Sequence, residues 1–448
     1  MWINQPRCIN CNKEIEEPLL RCPYCESLVT IPPIEGPPLS KINLASMWSL
    51  QSFIPIFKNP ISLAEGNTPL LHLTKDSDLK YLGLKLEFRN PTGTFRDRAC
   101  SLILSDAYQR KYDKIVGAST GSFSISLSAY AAKAGIESIN VVPHNLELSK
   151  IEQMKLYGSK VIEKGEFVND AITAAEKTAD KEQAYSATPE KNLLTIEGQK
   201  TISLEILLQK ENIESIIVPR GSGSLVYSIY RGLEDALASG WIKNIPKLYT
   251  VSLEKTKTSY LAESLDSKQP FLLREVEDLL KKTDGKEIGI KASVMIEEAL
   301  KIAKSEGLFI EPASASVIAA ARRLINNKEL EPSRSVAILT GSGFNALNIF
   351  ASQVRGKKKI VWGLSESSTT KFEILNLIAE EKADYGYAIW ESLGRDSIRI
   401  QAIYQHLSEL ESKGLINVKE KKGKRNHYIL TRKGVETLQK MRDLIDYI

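Results

Sequence analysis

Glu87-Phe88-Arg89-Asn90-Pro91-Thr92-Gly93-Thr94-Phe95-Arg96-Asp97-Arg98 is the stretch on which the reading of this chain turns. It lies in a region, residues 61–362, where short apolar runs alternate with helical stretches. Lys114-Ile115-Val116 leads into a helical pattern from Ser124, and further apolar runs follow at 138–142, 216–218, 247–253 and 335–339. Strand-helix alternation of this kind implies an α/β fold, an open parallel sheet with helices on both faces. Within the stretch, Arg96 carries the chemistry. A guanidinium stays protonated, so it suits a carboxylate or phosphate as a planar bidentate partner and cannot act as an amine nucleophile.

At 448 residues the chain calls for two or three domains. A formal net charge of +5 is too mild to mark a nucleic-acid binder in bulk, so any such footprint has to be a local patch. The first eleven residues hold no apolar run of signal-peptide length, and no stretch approaches about 20 consecutive apolar residues. The expectation is a cytoplasmic protein with no membrane partner. Four of the five cysteines form two knuckles, Cys8-x-x-Cys11 and Cys22-x-x-Cys25, ten residues apart. Four thiolates so spaced can converge on one metal ion, which points to a small ribbon with a structural Zn2+; a redox dithiol pair is the rival. Cys100, alone in a helical pattern, reads as a core residue. The breakers Pro32, Pro33, Gly36, Pro37 and Pro38 close the ribbon, giving a first domain of 1–38.

Asn90 to Arg98, with Glu87 before it, resembles the cofactor-lysine segment of threonine synthases, fold-type II pyridoxal-phosphate (PLP) enzymes whose pattern runs K-x-E-x-x-N-P-T-G-S-F-K-D-R. Arg96 stands at the lysine. Glu65-Gly66-Asn67-Thr68-Pro69-Leu70, Glu311-Pro312-Ala313-Ser314-Ala315 and Leu339-Thr340-Gly341-Ser342-Gly343 match further segments of the family. The resemblance covers residues 1–350 and implies a tryptophan synthase β-like fold with two parallel-sheet subdomains over 39–362. It also implies a site that has lost its amine, since the family's lysine condenses with the cofactor aldehyde and then moves protons. Ser119-Thr120-Gly121 is followed by Ser122 where the family pattern has Asn. Arg220-Gly221-Ser222-Gly223-Ser224 keeps two glycines of the phosphate loop, and an oxyanion could rest on Ser222, Ser224 and Arg220. Thr340 stands where the family binds the pyridine nitrogen. Three readings stay open: a cleft that binds a small ligand, with PLP held noncovalently at most; an active threonine synthase; and a dimerisation scaffold in which Arg96 pairs with Asp97 or another acid. Neither Lys85 nor Lys111 lies in a motif that aims it at the site as a replacement amine.

The tail differs. A Ser/Thr-rich linker, 365–370, leads to an amphipathic helix over 371–380 with Phe372, Ile374, Leu375, Leu377 and Ile378 on its apolar face. A second element covers 387–393. A third, 400–414, carries Ile403, Leu407, Leu410 and Leu415 and ends at Gly414; two short strands, 415–420 and 426–430, follow. Between Lys419 and Lys433 seven basic residues (Lys419, Lys421, Lys422, Lys424, Arg425, Arg432, Lys433) face one acid, Glu420. The runs Tyr385-Gly386-Tyr387-Ala388-Ile389-Trp390, Ile403 to Ile416, and Tyr428-Ile429-Leu430-Thr431-Arg432-Lys433-Gly434 resemble winged helix-turn-helix regulators of the PadR type. The resemblance implies that 363–448 binds double-stranded DNA. A cationic wing with Lys421, Lys422, Lys424 and Arg425 would hold phosphates, while Arg399, Gln401, Tyr404, Gln405 and His406 would reach base edges. The alternatives are a solvated basic turn on a dimerisation tail and, for His406, an ordinary half-buried histidine. Joined, the parts suggest a homodimeric DNA-binding regulator whose threonine synthase-like part senses PLP, an amino acid or a phosphohomoserine-like compound.

Overall fold

The computed structural model describes residues 2–119, 121–144, 146–165, 167–254, 265, 270–347, 349–350, 366–394, 398–422 and 425–447. It divides into two compact units, Met1–Leu347 and Asn348–Ile448. No helix among the described residues is long and apolar enough to cross a membrane.

The first unit holds two parallel sheets. One has four strands in the order Lys160–Glu163, Glu137–Val142, Lys114–Ala118, Tyr185–Ser186, all parallel. The other has six, in the order Lys286–Lys291, Lys247–Glu254, Ser215–Pro219, Ser335–Leu339, Gly83–Leu86, Leu70–His72. Only the edge strand Leu70–His72 runs antiparallel to its neighbour. The apolar runs found in the sequence are these strands. Ser215–Pro219 and Ser335–Leu339 are buried along their whole length, as strands covered on both faces must be. Helices fill the connections. Ser122–Ala134 stops at Gly135, whose φ of 69° suits the left-handed cap, and Pro312 opens the helix Pro312–Asn326 at a position where no amide donor is lost.

Four fully buried charges stand at the root of the Asn90–Arg98 loop. Arg98 grips Glu87 (Nε to Oε2, 2.8 Å; Nη2 to Oε1, 2.7 Å) and Glu205 (Nη1 to Oε1, 2.7 Å; Nη2 to Oε2, 2.9 Å). Lys85 closes the cluster on Glu205 at 2.8 Å, and also donates to the Thr68 carbonyl and Gln209. Thr68 and the Asn67 amide join it through Glu87 and Glu205. The Glu65-to-Leu70 and Asn90-to-Arg98 motifs are thus neighbours because two cations and two carboxylates neutralise one another in the core.

The cysteine ribbon belongs to the first unit. Its two short strands, Arg7–Cys8 and Val29–Thr30, pair antiparallel, and Cys8, Leu20, Cys22, Leu28 and Val29 share a core with Phe53, Leu193, Leu204 and Leu272.

The second unit runs helix Glu366–Ala379, helix Gly386–Ser392, helix Ile400–Ser412, hairpin Ile416–Lys422 with Arg425–Leu430, and helix Arg432–Tyr447. Ile374, Leu375, Ile378, Ile403, Leu407, Leu410 and Ile416 form its core. One expectation needs correction, and one element was not anticipated. The expected linker 365–370 is largely helix, since residues from Glu366 form its first turn. A closing helix, Arg432–Tyr447, follows the hairpin, opened by Thr431, whose hydroxyl accepts from the Gly434 amide at 2.9 Å. Position 365 itself lies outside the described residues.

Replacing Arg98 with Met should leave two buried carboxylates short of a countercharge. The expected loss is about 3–5 kcal/mol in the urea unfolding of the first unit; a loss below about 1 kcal/mol would show that the cluster does not hold the loop.

Candidate functional site

Four loops leave the carboxyl ends of parallel strands: Ser119 follows Lys114–Ala118, Arg220 follows Ser215–Pro219, Thr340 follows Ser335–Leu339, and the Glu87–Arg98 segment follows Gly83–Leu86. Crevices at such strand ends are where open α/β sheets bind ligands. The loops touch. The Phe95 amide donates to the Thr340 carbonyl at 3.1 Å, the Ser342 amide donates to the Gly93 carbonyl at 3.0 Å, and Thr94 bridges Gly341.

Arg96 occupies the turn that opens the helix Asp97–Gln109. Its guanidinium carbon lies 4.6 Å from the Phe95 ring centre. Asp97 does not pair with it: that carboxylate accepts from the Thr92 amide (2.7 Å), the Thr92 hydroxyl (2.5 Å) and Ser126 (2.5 Å). Among the described residues, Nη1 of Arg96 is buried without a hydrogen-bond partner, and so is Oε2 of Glu190. Burial pushes the Arg96 pKa down, with Glu190 the strongest charge acting the other way. Burial pushes the Glu190 carboxyl up, opposed mainly by Arg96. The two attract and yet form no ion pair, and each buried atom left so costs roughly 1–3 kcal/mol.

Glu311 and Lys150 complete the charges. Glu311 accepts from Thr340 at 3.2 Å and Ser314 at 3.5 Å, and burial raises its pKa against the pull of Lys150. Lys150 crosses Gly121, where an added Cβ would lie 2.6 Å from its Cδ and 3.4 Å from its Nζ. Gly121 has φ of 132°, which disfavours any side chain there. The Ser119 hydroxyl accepts from the Gly121 amide at 3.1 Å, and Ser122 begins the next helix; Thr120 lies outside the described residues. Neither Glu190 nor Lys150 stood out in the sequence.

At the phosphate-like loop, Gly223 has φ of 95° and precedes the helix Ser224–Ala238. The Ser222 and Ser224 hydroxyls are 3.3 Å apart at that helix start, an arrangement that fits an oxyanion. Arg220 is committed elsewhere, gripping Glu287 through Nε and, at 2.9 Å, through Nη2. For PLP the residues fit in part. The hydroxyls and helix start suit its phosphate, whereas Arg96 and the orphaned Glu190 do not suit a covalent attachment at that end.

The four cysteine sulfurs all lie within 4.8 Å of one another, with Cys8 to Cys25 at 3.4 Å and Cys11 to Cys22 at 3.7 Å. A tetrahedron with bonds of about 2.3 Å has edges of roughly 3.8 Å, so the set could hold one metal ion. The ribbon reaches the cleft's supports: Leu19 bridges Asn192, two residues beyond Glu190, and Arg21 pairs with Glu275 at 2.9 Å beside Leu272, whose amide donates to the Ser222 carbonyl.

In the second unit Arg399, Gln401, Tyr404 and Gln405 are exposed around one helix, Ile400–Ser412. His406 is half-buried, and burial, then Lys371, lowers its pKa. The hairpin's second strand is tethered toward its turn end: His427 Nδ1 lies 2.9 Å from Asp384, and Arg425 lies over the Tyr385 ring at 5.1 Å. Lys424 and the side chains of Lys421 and Lys422 lie outside the described residues.

The family model for pyridoxal-phosphate dependent enzymes matches residues 61–341. The chain belongs to this family. A second model, the transcriptional regulator PadR-like family, matches residues 374–440, so this member of the pyridoxal-phosphate dependent enzyme family carries a PadR-like unit behind it. Among curated proteins it is similar to threonine synthase of Methanocaldococcus jannaschii, 29% identical over 375 residues, spanning 75% of this chain and 92% of that protein. Threonine synthase of Bacillus sp. (strain ULM1) is 30% identical over 323 residues, 67% of this chain and 90% of that protein. The crystal structure of O-ureido-L-serine synthase superposes with a TM-score of 0.57 at 18% identity, covering 68% of this chain and 97% of that one, which speaks to the fold.

Two measurements check this geometry. Burial raises Asp97 from an ordinary 3.8 to about 6. The folded state therefore holds the proton more tightly, and stability should fall as pH rises from about 4 to about 6, by on the order of 3 kcal/mol in full. Asp97→Asn should flatten that part of the stability-pH curve; an unchanged slope would place the titration elsewhere. Chelator treatment of protein first loaded with Zn2+ should lower the first unit's melting temperature and speed amide exchange at 190–193. Unchanged exchange there would show that the ribbon does not brace the cleft.

Proposed function

We propose that this chain is a DNA-binding transcriptional regulator in which a threonine synthase-like unit senses a small metabolite and the PadR-like unit contacts double-stranded DNA. The observation that carries the reading is Arg96. At the position that the threonine synthase pattern gives to lysine, a guanidinium has a partnerless buried nitrogen, and the strongest opposite charge acting on it, Glu190, has one buried carboxylate oxygen in the same state. Such a site can bind, and it lacks the amine that covalent PLP chemistry needs there.

In this reading the domains are 1–38, a ribbon closed by Zn2+; 39–362, the sensing module; and 363–448, the winged helix. The ligand is PLP held noncovalently, an amino acid or a phosphohomoserine-like compound. Its contacts come from Arg96, Ser119, Thr120, Gly121 and Ser122 on one side, from Gly221, Ser222, Gly223 and Ser224 at the oxyanion loop, and from Thr340. Arg220, tied to Glu287, serves as a support of that loop. A homodimer would present two helices with Arg399, Gln401, Tyr404, Gln405 and His406 to paired half-sites, while the basic hairpin holds phosphates.

A second reading rests on Lys150: its amine lies over Gly121, so the chain could be an active threonine synthase-type lyase with a relocated lysine and an accessory tail. Fluorescence anisotropy of the full chain on the DNA upstream of its own gene separates the two. Saturable binding is expected, with Lys419→Ala and Arg425→Ala each weakening it and lowering the salt slope by about one. Absence of saturable binding, together with phosphate release from O-phosphohomoserine in the presence of PLP, would replace the regulator with the lyase.

A further inference from the structure

Arg96 and Glu190 are each the other's strongest opposite charge, yet among the described residues the guanidinium Nη1 and the carboxylate Oε2 both end buried and unpartnered. A direct salt bridge would have satisfied both. A bridge between them has to present an acceptor to the guanidinium and a donor to the carboxylate at once, as a water or a ligand with both functions can. The surrounding charges narrow the choice. Arg96 and Lys150 are countered by Glu190, Glu311 and Glu147, the last 3.8 Å from the Lys150 amine. This corner of the cleft already holds at least as many acids as bases. A free phosphate would satisfy Arg96 while setting negative charge beside Glu190 and Glu311. A simple amine would satisfy Glu190 and leave Arg96 bare. A neutral molecule with separated opposite charges serves both without changing the total.

We propose that this corner is a direct receptor for a zwitterionic amino acid, with Arg96 taking its carboxylate and Glu190 its ammonium. The inference rests on the sensing reading and names the ligand's class. It differs from the family's use of the cleft, because the amino acid is held by side chains of this chain and not through a cofactor. Glu311, anchored by Thr340 and Ser314, and Lys150 over Gly121 are the further charges that act on this corner.

The test uses the full chain, with calorimetric titration of the twenty standard L-amino acids and L-homoserine, followed by the N-acetyl and amide forms of whichever binds. At least one free amino acid should bind, and blocking either end should weaken it at least tenfold. Glu190→Gln should erase the preference for the free over the N-acetyl form, and Arg96→Gln should erase the preference for the acid over the amide. Each variant is read only after its unliganded melting curve matches that of the parent. Failure of every amino acid, or equal binding of the blocked forms, overturns the proposal. Binding of PLP or inorganic phosphate in their place also overturns it while leaving a sensing cleft intact. An amino acid that binds as described without altering DNA affinity upholds the receptor and removes the sensing reading instead.

Discussion

Arg98 is the residue around which the first unit is organised. With no exposed surface it needs full compensation, and it receives it from Glu87 and Glu205, with Lys85 balancing the second carboxylate. That closed cluster ties the strand Gly83–Leu86, the loop after it and the helix Leu194–Gln209 into one piece. Charge taken out of water persists in a core only when partnered in this way.

Two residues earlier, Arg96 sits under the opposite condition. The same side-chain chemistry, on the same turn, finds no hydrogen bond for one of its buried nitrogens, and Glu190 is left in the same state. In a low-dielectric setting such groups are far from indifferent to what comes near them. The contrast between a satisfied arginine and an unsatisfied one, a few ångströms of chain apart, separates scaffold from site. In the proposed reading, where Arg96 stands at the lysine of the threonine synthase pattern, an amine that could react gives way to a fixed charge that binds.

Much of this was legible in the sequence. The strands over 114–118, 137–142, 215–219, 247–254 and 335–339 fall where the apolar runs placed them, because fully covered parallel strands need uninterrupted apolar residues. The cysteine knuckles converge, as two closely spaced pairs read as one ligand set predict. What could not be read was long-range pairing. Glu190 and Lys150 lie in segments with no pattern of their own, and only the fold brings them to Arg96 and Gly121. Arg220 read as an anion ligand until a glutamate 67 residues away proved to hold it. The stretch at 366–370 read as linker because serine and threonine are poor helix formers, but the apolar face that follows carries them into the first turn. The closing helix was missed because its start, Thr431, was read as part of the wing motif and not as a cap.

The regulator we propose is a thermodynamic device: in it the cleft and the winged helix share one chain so that the occupancy of one changes the other. Linkage makes such coupling reciprocal, so it can be measured from either side. The direct measurement is the affinity of the full chain for its amino acid by calorimetry, with and without saturating operator DNA. A change of about fivefold or more, in either direction, is the expected result. The same affinity in both conditions, with DNA demonstrably bound, would contradict the claim and leave two functions that merely share a chain.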